Sequence, residues 1–268
     1  MKRVFLFILI SILSLLIASC KKNDENVIVV GASSTPHAKI LEQAKPLLKE
    51  LGYELEIKKI DDYTIPNTSL AQGALDANYF QHLPFLNLYN QNNGTDLVSV
   101  GAIHYEPFGL YGNEITSLTQ AIKKILIPND GSNRSRALLL LQQAGLITLR
   151  SDVDPAGDIT QKDITNFNGF EITELAAENI SSSLRYSEKG TLAVINGNYA
   201  LAAGISISTA LATEDVNGAA ATVYANILAV RNGDQNNPKI LALLKVLRSK
   251  EIADYINSEF KGAVKPTF

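Results

Sequence analysis

A polar loop that leads into a leucine-rich segment contains two arginines in an unusual position. Residues 128–136 read PNDGSNRSR, and Ala137 and four leucines follow. The N-terminus of a helix presents unpaired backbone N–H groups and the positive end of the helix dipole, which together favour an anion. An arginine in the first turns opposes that dipole unless an anion pairs with it. The pattern predicts that Arg136 binds an anionic group, with a solvated side chain as the alternative, and that Arg134 is solvated.

Two asparagines lie in segments that are typical of buried strands. Asn196 follows the apolar run LAVI, and Asn226 lies inside the run YANILAV. A buried asparagine must be hydrogen-bonded, either to the backbone or to a ligand. A third segment, residues 76–82 (DANYFQH), alternates polar and aromatic residues before a proline. These three segments are the candidates for a binding site.

Enzyme signatures are scarce. The chain has no GxGxxG after a strand, no GxxxxGK[ST], no HExxH and no GxSxG. The three histidines, His37, His82 and His104, could form a metal site with Glu106, but their separations in sequence show no local ligand spacing. The alternative for His82 and His104 is a hydrogen-bonded histidine that lines a cleft or core. We therefore expect a chain that is not an enzyme and has no metal and no cofactor.

Composition excludes several classes of protein. The chain has 268 residues, 46% of them hydrophobic and 19% charged, with a formal net charge of −3. This apolar content supports a substantial core, and the absence of a basic surplus argues against nucleic-acid binding. A single cysteine excludes a disulfide framework and a zinc site built from several thiolates of one chain.

The first twenty residues read MKRVFLFILISILSLLIASC and are typical of an export signal. The apolar run at 4–18 is shorter than the ~20 residues that a membrane-spanning helix needs. The motif IASC at 17–20 resembles a bacterial lipobox, which implies cleavage before Cys20 and acylation of that cysteine. We predict a signal peptide at 1–19 and a lipidated cysteine with a polar tether at 20–26. The alternative is an ordinary secretory signal with an incidental cysteine.

Hydrophobic periodicity predicts strands that alternate with helices along the rest of the chain. The expected strands cover residues 27–33, 53–60, 97–103, 125–128, 170–175 and 192–195. The expected helices follow Pro36 as far as Leu51 and cover 117–124, 136–144 and 239–260. This alternation indicates an α/β protein with mainly parallel sheets. If the chain forms two lobes, extended segments at Tyr105–Tyr111 and Tyr224–Arg231 are the candidate crossings between them.

Six segments, taken together and in order, resemble one known family. They are DYTIPN at 62–67, DANYFQHLPFL at 76–86, HYEPFGLY at 104–111, IPNDGSNRSRALLLLQQAGLI at 127–147, LAVINGNYA at 192–200 and YANILAVR at 224–231. The chain is similar, from Val27 to Phe268, to the methionine-binding lipoproteins of bacterial ABC importers, the MetQ/NlpA family. The resemblance implies a type II periplasmic-binding-protein fold, in which hinge strands join two α/β lobes and a ligand lies in the cleft. We expect residues 27–108 and 228–268 in lobe 1 and residues 109–227 in lobe 2.

The resemblance also implies seven ligand-binding residues: Tyr63, Phe80, His82, Asn133, Arg136, Asn196 and Asn226. Arg136 can hold an α-carboxylate through two parallel hydrogen bonds, and amide oxygens can accept from an ammonium group. Aromatic rings suit the sulfur of a thioether, at about 0.3–1.5 kcal/mol for each contact. We expect the unliganded Arg136 side chain in open, wet surroundings, so that its removal leaves folding nearly unchanged.

The expected function is that of a receptor that binds L-methionine, or a close derivative, and delivers it to a membrane permease. Its implied partners are the ABC permease and ATPase subunits and a lipid bilayer that holds acylated Cys20. The expected location is the cell envelope, facing the periplasm or the cell exterior, and the expected state is a monomer. The alternatives are a dipeptide- or metal-binding receptor on the same fold, and a lipoprotein hydrolase that uses the histidines and Glu106.

Overall fold

The computed structural model describes residues 25–215 and 218–268, so the predicted signal peptide and Cys20 lie outside the described residues. The strands are β1 (Val27–Ala32), β2 (Glu54–Lys59), β3 (Ala77–His82), β4 (Val98–Tyr105), β5 (Gly109–Gly112), β6 (Lys124–Pro128), β7 (Thr148–Leu149), β8 (Ile164–Asn166), β9 (Glu171–Leu175), β10 (Thr191–Ile195), β11 (Ala212–Thr213), β12 (Asn226–Val230) and β13 (Lys265–Pro266). The α-helices are α1 (Lys39–Glu50), α2 (Ile65–Ala71), α3 (Leu83–Asn93), α4 (Gly131–Gln143), α5 (Ala177–Arg185), α6 (Gly197–Ala202), α7 (Ala219–Val223), α8 (Pro238–Leu247) and α9 (Lys250–Phe260). A π-helical turn, Ser34–Ala38, precedes α1.

The strands form two main sheets. The first has six strands in the order β13-β4-β12-β3-β1-β2, and the second has five in the order β11-β5-β10-β6-β9. The chain passes from the first sheet to the second between Tyr105 and Gly109, and it returns between Thr213 and Asn226. Both crossings involve the segments that the sequence indicated. The return strand begins at Asn226, two residues before the proposed lobe boundary at 228.

The prediction of mainly parallel sheets is wrong, because both sheets are mixed. Strand β1 pairs parallel with β2 and β3, and β6 pairs parallel with β9 and β10. Strand β12 pairs antiparallel with both β3 and β4, and β5 pairs antiparallel with β10 and β11. A helical crossover within one sheet makes successive strands parallel. Strand β12 enters from the other sheet, so that constraint does not apply to it.

Each sheet has its own hydrophobic core. In the first, the fully buried side chains of Ile28 and Val30 in β1 pack with the inner faces of α1, α8 and α9. In the second, Leu138 and Leu141 of α4 pack with Phe108 and the strands around it. The predicted four-leucine helix, α4, therefore contributes to the hydrophobic core of the second lobe. No helix within the described ranges is long and apolar enough to cross a membrane.

The expected helix at 117–124 does not form. Residues 117–123 are turns and irregular backbone, and Lys124 already begins β6. The Gln120 side chain accepts hydrogen bonds from the backbone N–H groups of Thr116 and Ser117. These local bonds compete with the backbone pairing that a helix requires.

Candidate functional site

A cavity between the two sheets contains all seven of the residues selected from the sequence. About 340 Å³ of space among its lining atoms, part of it open to solvent, is unfilled by protein. The lining residues are Tyr63, Phe80, Gln81, His82, Phe85, Glu106, Phe108, Asn133, Arg136, Asn196, Gly197, Asn198 and Asn226. They come from both lobes and from the first crossing. Ligands of α/β sheets commonly bind at such strand ends.

Strand ends and helix starts place the polar residues of this cavity. His82 ends β3 and caps α3, where its Nδ1 accepts from the backbone N–H of Phe85 at 3.2 Å. Asn196 lies between β10 and α6. Asp130 caps α4, and its Oδ1 accepts from the backbone N–H of Asn133 at 2.9 Å and from its Nδ2 at 3.0 Å. This cap fixes the Asn133 side chain at the cavity wall.

Three aromatic rings pack together on one side of the cavity. The ring centroids of Tyr63 and Phe80 are 5.7 Å apart, as are those of Tyr63 and Phe85. The Phe80 and Phe85 centroids are 5.9 Å apart in an edge-on arrangement. The cluster offers an apolar surface with ring edges, which suits an apolar or thioether tail.

Side-chain hydrogen bonds join the two lobes around the cavity. The Tyr63 hydroxyl donates to Asn198 Oδ1 at 2.7 Å, and the Tyr199 hydroxyl donates to the carbonyl oxygen of Asp61 at 2.7 Å. His82 Nε2 lies 3.3 Å from Asn133 Oδ1. The structure is therefore in a closed arrangement, in which the cavity walls touch each other across the cleft.

Arg136 is buried and already paired, so the expectation of open, wet surroundings is wrong. Its Nε donates to Glu214 Oε1 at 2.6 Å, and its Nη2 donates to Glu214 Oε2 at 2.6 Å and to the carbonyl oxygen of Glu106 at 2.8 Å. The guanidinium carbon lies 3.9 Å from the Phe108 ring centroid and 4.5 Å from that of Tyr224. The remaining nitrogen, Nη1, makes no hydrogen bond to any residue that the structure describes. Only this nitrogen is free to bind a ligand in the present arrangement.

The histidines that could have formed one metal site separate into two groups. The ligand atoms of His37, His104 and Glu106 lie within 4.8 Å of one another, and all three residues are buried. His104 Nε2 is 2.7 Å from Glu106 Oε1, a hydrogen-bond distance, and His37 Nε2 is 3.6 Å from the same oxygen. His82 instead contacts Asn133 and the Tyr224 ring. It belongs to the cavity wall, in agreement with the hydrogen-bonded alternative.

Burial keeps these histidines neutral. It lowers the pKa of His82 to about 3, with a further contribution from the Arg136 charge, and lowers that of His104 to about 3. Burial also lowers the pKa of His37 to about 4, against the attraction of Glu106. For the same reason, burial raises the pKa of Glu106 to about 7. Near neutral pH the cavity wall therefore contains the charged guanidinium of Arg136, which is paired with Glu214, and the carboxyl group of Glu106, which ionises with difficulty.

The family of this chain follows from comparison with known sequences and structures. The sequence model of the family described as NlpA lipoprotein matches residues 28–268.

This chain belongs to the NlpA lipoprotein family.

A curated relative and two solved structures match most of the length of this chain. The methionine-binding lipoprotein MetQ of Bacillus subtilis strain 168 is 39% identical over 276 residues, which covers 99% of each chain. A nutrient-binding protein of Burkholderia cenocepacia, solved with bound methionine, is 34% identical with a TM-score of 0.84, covering 90% of this chain and 100% of that one. A periplasmic substrate-binding protein of an ABC transporter from Coxiella burnetii is 38% identical with a TM-score of 0.82 at the same coverage. The predicted family and its fold of two α/β lobes are confirmed.

Several residues that line this NlpA-family cavity or pair with its wall were not selected from the sequence. Glu214 pairs with Arg136 from 78 positions away, in a segment with no periodicity or motif to mark it. Glu106 was considered only as a metal ligand, although it lies in the HYEPFGLY segment that carries the resemblance. Phe85 extends the aromatic cluster, and it could have been found from its place three residues after His82. Asn198 follows Asn196 in the same segment.

Arg134 differs from its expected solvated state. Its Nη2 lies 2.7 Å from Asp158 Oδ1, its Nη1 lies 3.3 Å from Glu174 Oε2, and its Nε donates to the carbonyl oxygen of Ile159 at 3.1 Å. These contacts hold a loop of the second lobe against α4. Arg134 does not line the cavity. Of the two arginines in the sequence motif, only Arg136 belongs to the cavity wall, and Arg134 binds a loop of the second lobe.

Proposed function

We propose that this protein is the substrate-binding lipoprotein of an ABC importer and that it binds L-methionine in the cavity between its lobes. The observation that carries the proposal is the combination of groups in that cavity. Arg136 offers one free guanidinium nitrogen, Asn196 offers an unpaired amide oxygen, and three packed aromatic rings offer an apolar surface. A free amino acid with a soft apolar tail requires these three kinds of group.

The α-carboxylate pairs with Arg136 Nη1 near the start of α4, beside Asn133, whose amide nitrogen donates to Asp130. A carboxylate there also benefits from the positive end of the dipole of this 13-residue helix. Glu214 holds the guanidinium plane by two hydrogen bonds, so the arginine is oriented before the ligand arrives. Preorganisation of this kind lowers the entropic cost of binding.

The methionine side chain lies among Tyr63, Phe80 and His82, with Phe85 behind them. His82 is neutral in this site, so it packs as a flat polarisable ring and introduces no charge beside the thioether. A lysine or glutamate side chain in the same position would bury an unpaired charge. The pocket therefore discriminates by charge as well as by shape.

Closure of the two lobes around the ligand and delivery of the ligand to the permease are the remaining steps of the proposed function. The hinge strands that cross between the sheets allow the lobes to separate, and the bonds of Tyr63 and Tyr199 across the cleft form on closure. Permease and ATPase subunits of the importer would accept the closed receptor. Acylated Cys20, beyond a short polar tether, would hold it at the membrane of the cell envelope. Two or more acyl chains give a stable anchor, whereas a single chain binds only marginally.

Mass spectrometry of gently purified protein tests the ligand assignment. We expect retained methionine at about one molecule per chain. Retained dipeptide would change the ligand on the same fold, whereas a stoichiometric metal ion without an amino acid would move the site to the histidine and Glu106 cluster. Either result contradicts the proposal.

Detergent partitioning tests the anchor. Cys20→Ser is expected to move the protein from the detergent phase to the aqueous phase or to leave its precursor uncleaved, and unchanged processing and partitioning would contradict lipidation. A chain that begins near Asn26 should keep the fold and the ligand affinity, because the first sheet begins at Val27.

A further inference from the structure

His37 lies behind the cavity wall, in the buried turn before α1, and its ring contacts a residue of that wall. The side chain does not line the cavity and is 1% exposed. Its ring centroid is 4.7 Å from that of Tyr79 and 4.8 Å from that of His104, so packing on two sides fixes the ring. Its Nε2 lies 2.9 Å from Asn226 Oδ1, and its Nδ1 lies 2.6 Å from Ser33 Oγ. Both ring nitrogens are therefore hydrogen-bonded in a ring that cannot turn.

The surroundings of the His37 ring determine which nitrogen carries the proton. Burial lowers the pKa of His37 to about 4, so near neutral pH the ring has one N–H group. Besides the Asn226 oxygen, a carboxyl oxygen of Glu106 lies 3.6 Å from Nε2. Two acceptors on this side favour the proton on Nε2, and Nδ1 then accepts from the Ser33 hydroxyl. The opposite arrangement would direct the lone pair of Nε2 at the Glu106 carboxyl oxygen.

The bond from His37 leaves the Asn226 amide with its nitrogen toward the cavity. Asn226 begins β12 and lines the cavity, and its Nδ2 makes no hydrogen bond to any residue that the structure describes. Asn196 has the reverse orientation, because its Nδ2 donates to Asn133 Oδ1 at 3.1 Å and its buried Oδ1 is unpaired in the described part of the chain. The two asparagines that the sequence treats alike therefore present opposite groups to a ligand.

We propose that His37 is a positioning residue, which holds the Asn226 amide nitrogen toward the cavity and so makes Asn226 a donor for the α-carboxylate of the ligand. The proposal rests on the proposed function and adds to it a residue outside the cavity. In a free amino acid the carboxylate is the strong acceptor, since an ammonium group only donates. The carboxylate then has donors from both lobes, Asn226 Nδ2 from the first and Arg136 Nη1 from the second.

The tautomer of His37 in the wild-type protein is the first test. Long-range ¹H–¹⁵N correlation spectra of protein with labelled histidine distinguish protonated from unprotonated ring nitrogens, and through-bond correlations to its own backbone assign the His37 ring. We expect the proton on Nε2 and an unprotonated Nδ1. A proton on Nδ1 would mean that the amide presents its oxygen to the cavity, and it would overturn the proposal.

Two ligands separate positioning of the amide from a general loss of structure. L-Methioninol has a hydroxyl group in place of the carboxylate, and a hydroxyl can bond to either end of an amide. In His37→Leu the Asn226 amide is free to turn, so the preference for L-methionine over L-methioninol should fall by about 10-fold or more, as for one hydrogen bond to a charged group. The affinity for L-methioninol should change little. Calorimetric titration measures each affinity, and thermal melts check that each variant is folded.

Three further variants control this comparison. His37→Gln keeps an amide donor beside Asn226 Oδ1 and should restore most of the preference. His104→Leu removes a buried histidine of the same cluster whose ring makes no hydrogen bond to Asn226, and it should leave the preference unchanged. In an Asn226→Ala background, His37→Leu should have no further effect on the preference, because the two residues act as one unit.

Failure of the proposed function and failure of this inference give different results. A wild type that does not bind methionine overturns both. A wild type that binds methionine, together with a His37→Leu variant that weakens both ligands equally, overturns the role of His37 alone. If His37→Leu does not fold, the tautomer in the wild-type protein decides.

Discussion

Two buried carboxylates lie within the same site, and their surroundings differ. Glu214 receives two hydrogen bonds from Arg136, one from the Tyr105 hydroxyl at 2.8 Å and one from the backbone N–H of Phe108 at 2.9 Å. Glu106 receives one from a neutral histidine. Although burial alone would raise the pKa of Glu214, the Arg136 charge and these bonds hold it below its usual value, whereas the pKa of Glu106 rises to about 7. One carboxylate is therefore held in its ionised form by its partners, and the other ionises with difficulty.

Arg136→Ala should have the largest effect, because it breaks the satisfied pair. Removing one partner of a buried ion pair costs about 3–5 kcal/mol, so the variant should lose stability by about that amount. Methionine affinity should also fall by roughly two to three and a half orders of magnitude. Urea unfolding and calorimetric titration measure the two losses, and Arg136→Lys should rescue neither fully because an ammonium group lacks the planar fork.

A matched control lies two residues away. Arg134→Ala removes an arginine of the same helix that pairs with Asp158 and Glu174 but does not line the cavity. Unchanged stability of Arg136→Ala, with affinity within a few-fold of wild type, would show that the pair and the carboxylate site lie elsewhere.

Phe80→Ala should have the next largest effect, on the apolar part of the same cavity. Deleting a phenylalanine from a core costs ~3–5 kcal/mol, and a pocket that opens to water should lose less. We expect a fall in methionine affinity without a change in the pH dependence of binding. Competition with lysine gives the complementary measurement, since tight lysine binding would contradict a pocket that excludes a charged side chain.

Glu106→Gln should show a smaller effect whose size depends on pH. The folded pKa of Glu106 is about 7 and its ordinary value is 4.5, so the stability that this group contributes is present below pH 4.5 and is lost as the pH rises through 7. The unliganded variant cannot ionise there, so its stability relative to wild type should rise between pH 5 and pH 8, on the order of 2 kcal/mol. Thermal melts of both proteins across this range measure the difference. A constant difference would mean that Glu106 is already neutralised in the free protein.

Arg134→Ala should have the smallest effect. Its guanidinium is partly exposed and its partner Asp158 is largely exposed, and such pairs typically contribute 0–1 kcal/mol. We expect unchanged methionine affinity and a small loss of stability in urea unfolding. A loss comparable with that of Arg136→Ala would remove the distinction between the two arginines.

The sequence predicted the parts of the site that depend on local pattern. Arg136 at a helix start, Asn196 after a buried strand and His82 before a proline could be found because strand and helix ends are visible in one short segment. The Arg136–Glu214 pair could not be found this way, since it joins residues 78 positions apart and one partner has no local signal. The antiparallel pairing of some strands could not be predicted for a related reason. The direction of a strand such as β12 depends on how the chain returns from the other lobe, and hydrophobic periodicity contains no information about that return.

A crystal structure of the methionine complex would test the assignment of the cavity walls most directly. We expect the α-carboxylate on Arg136, the ammonium on Asn196 Oδ1, and the thioether among the aromatic rings, with the Arg136–Glu214 pair unchanged. A ligand bound in the reverse direction, or an ammonium that does not contact Asn196, would contradict it.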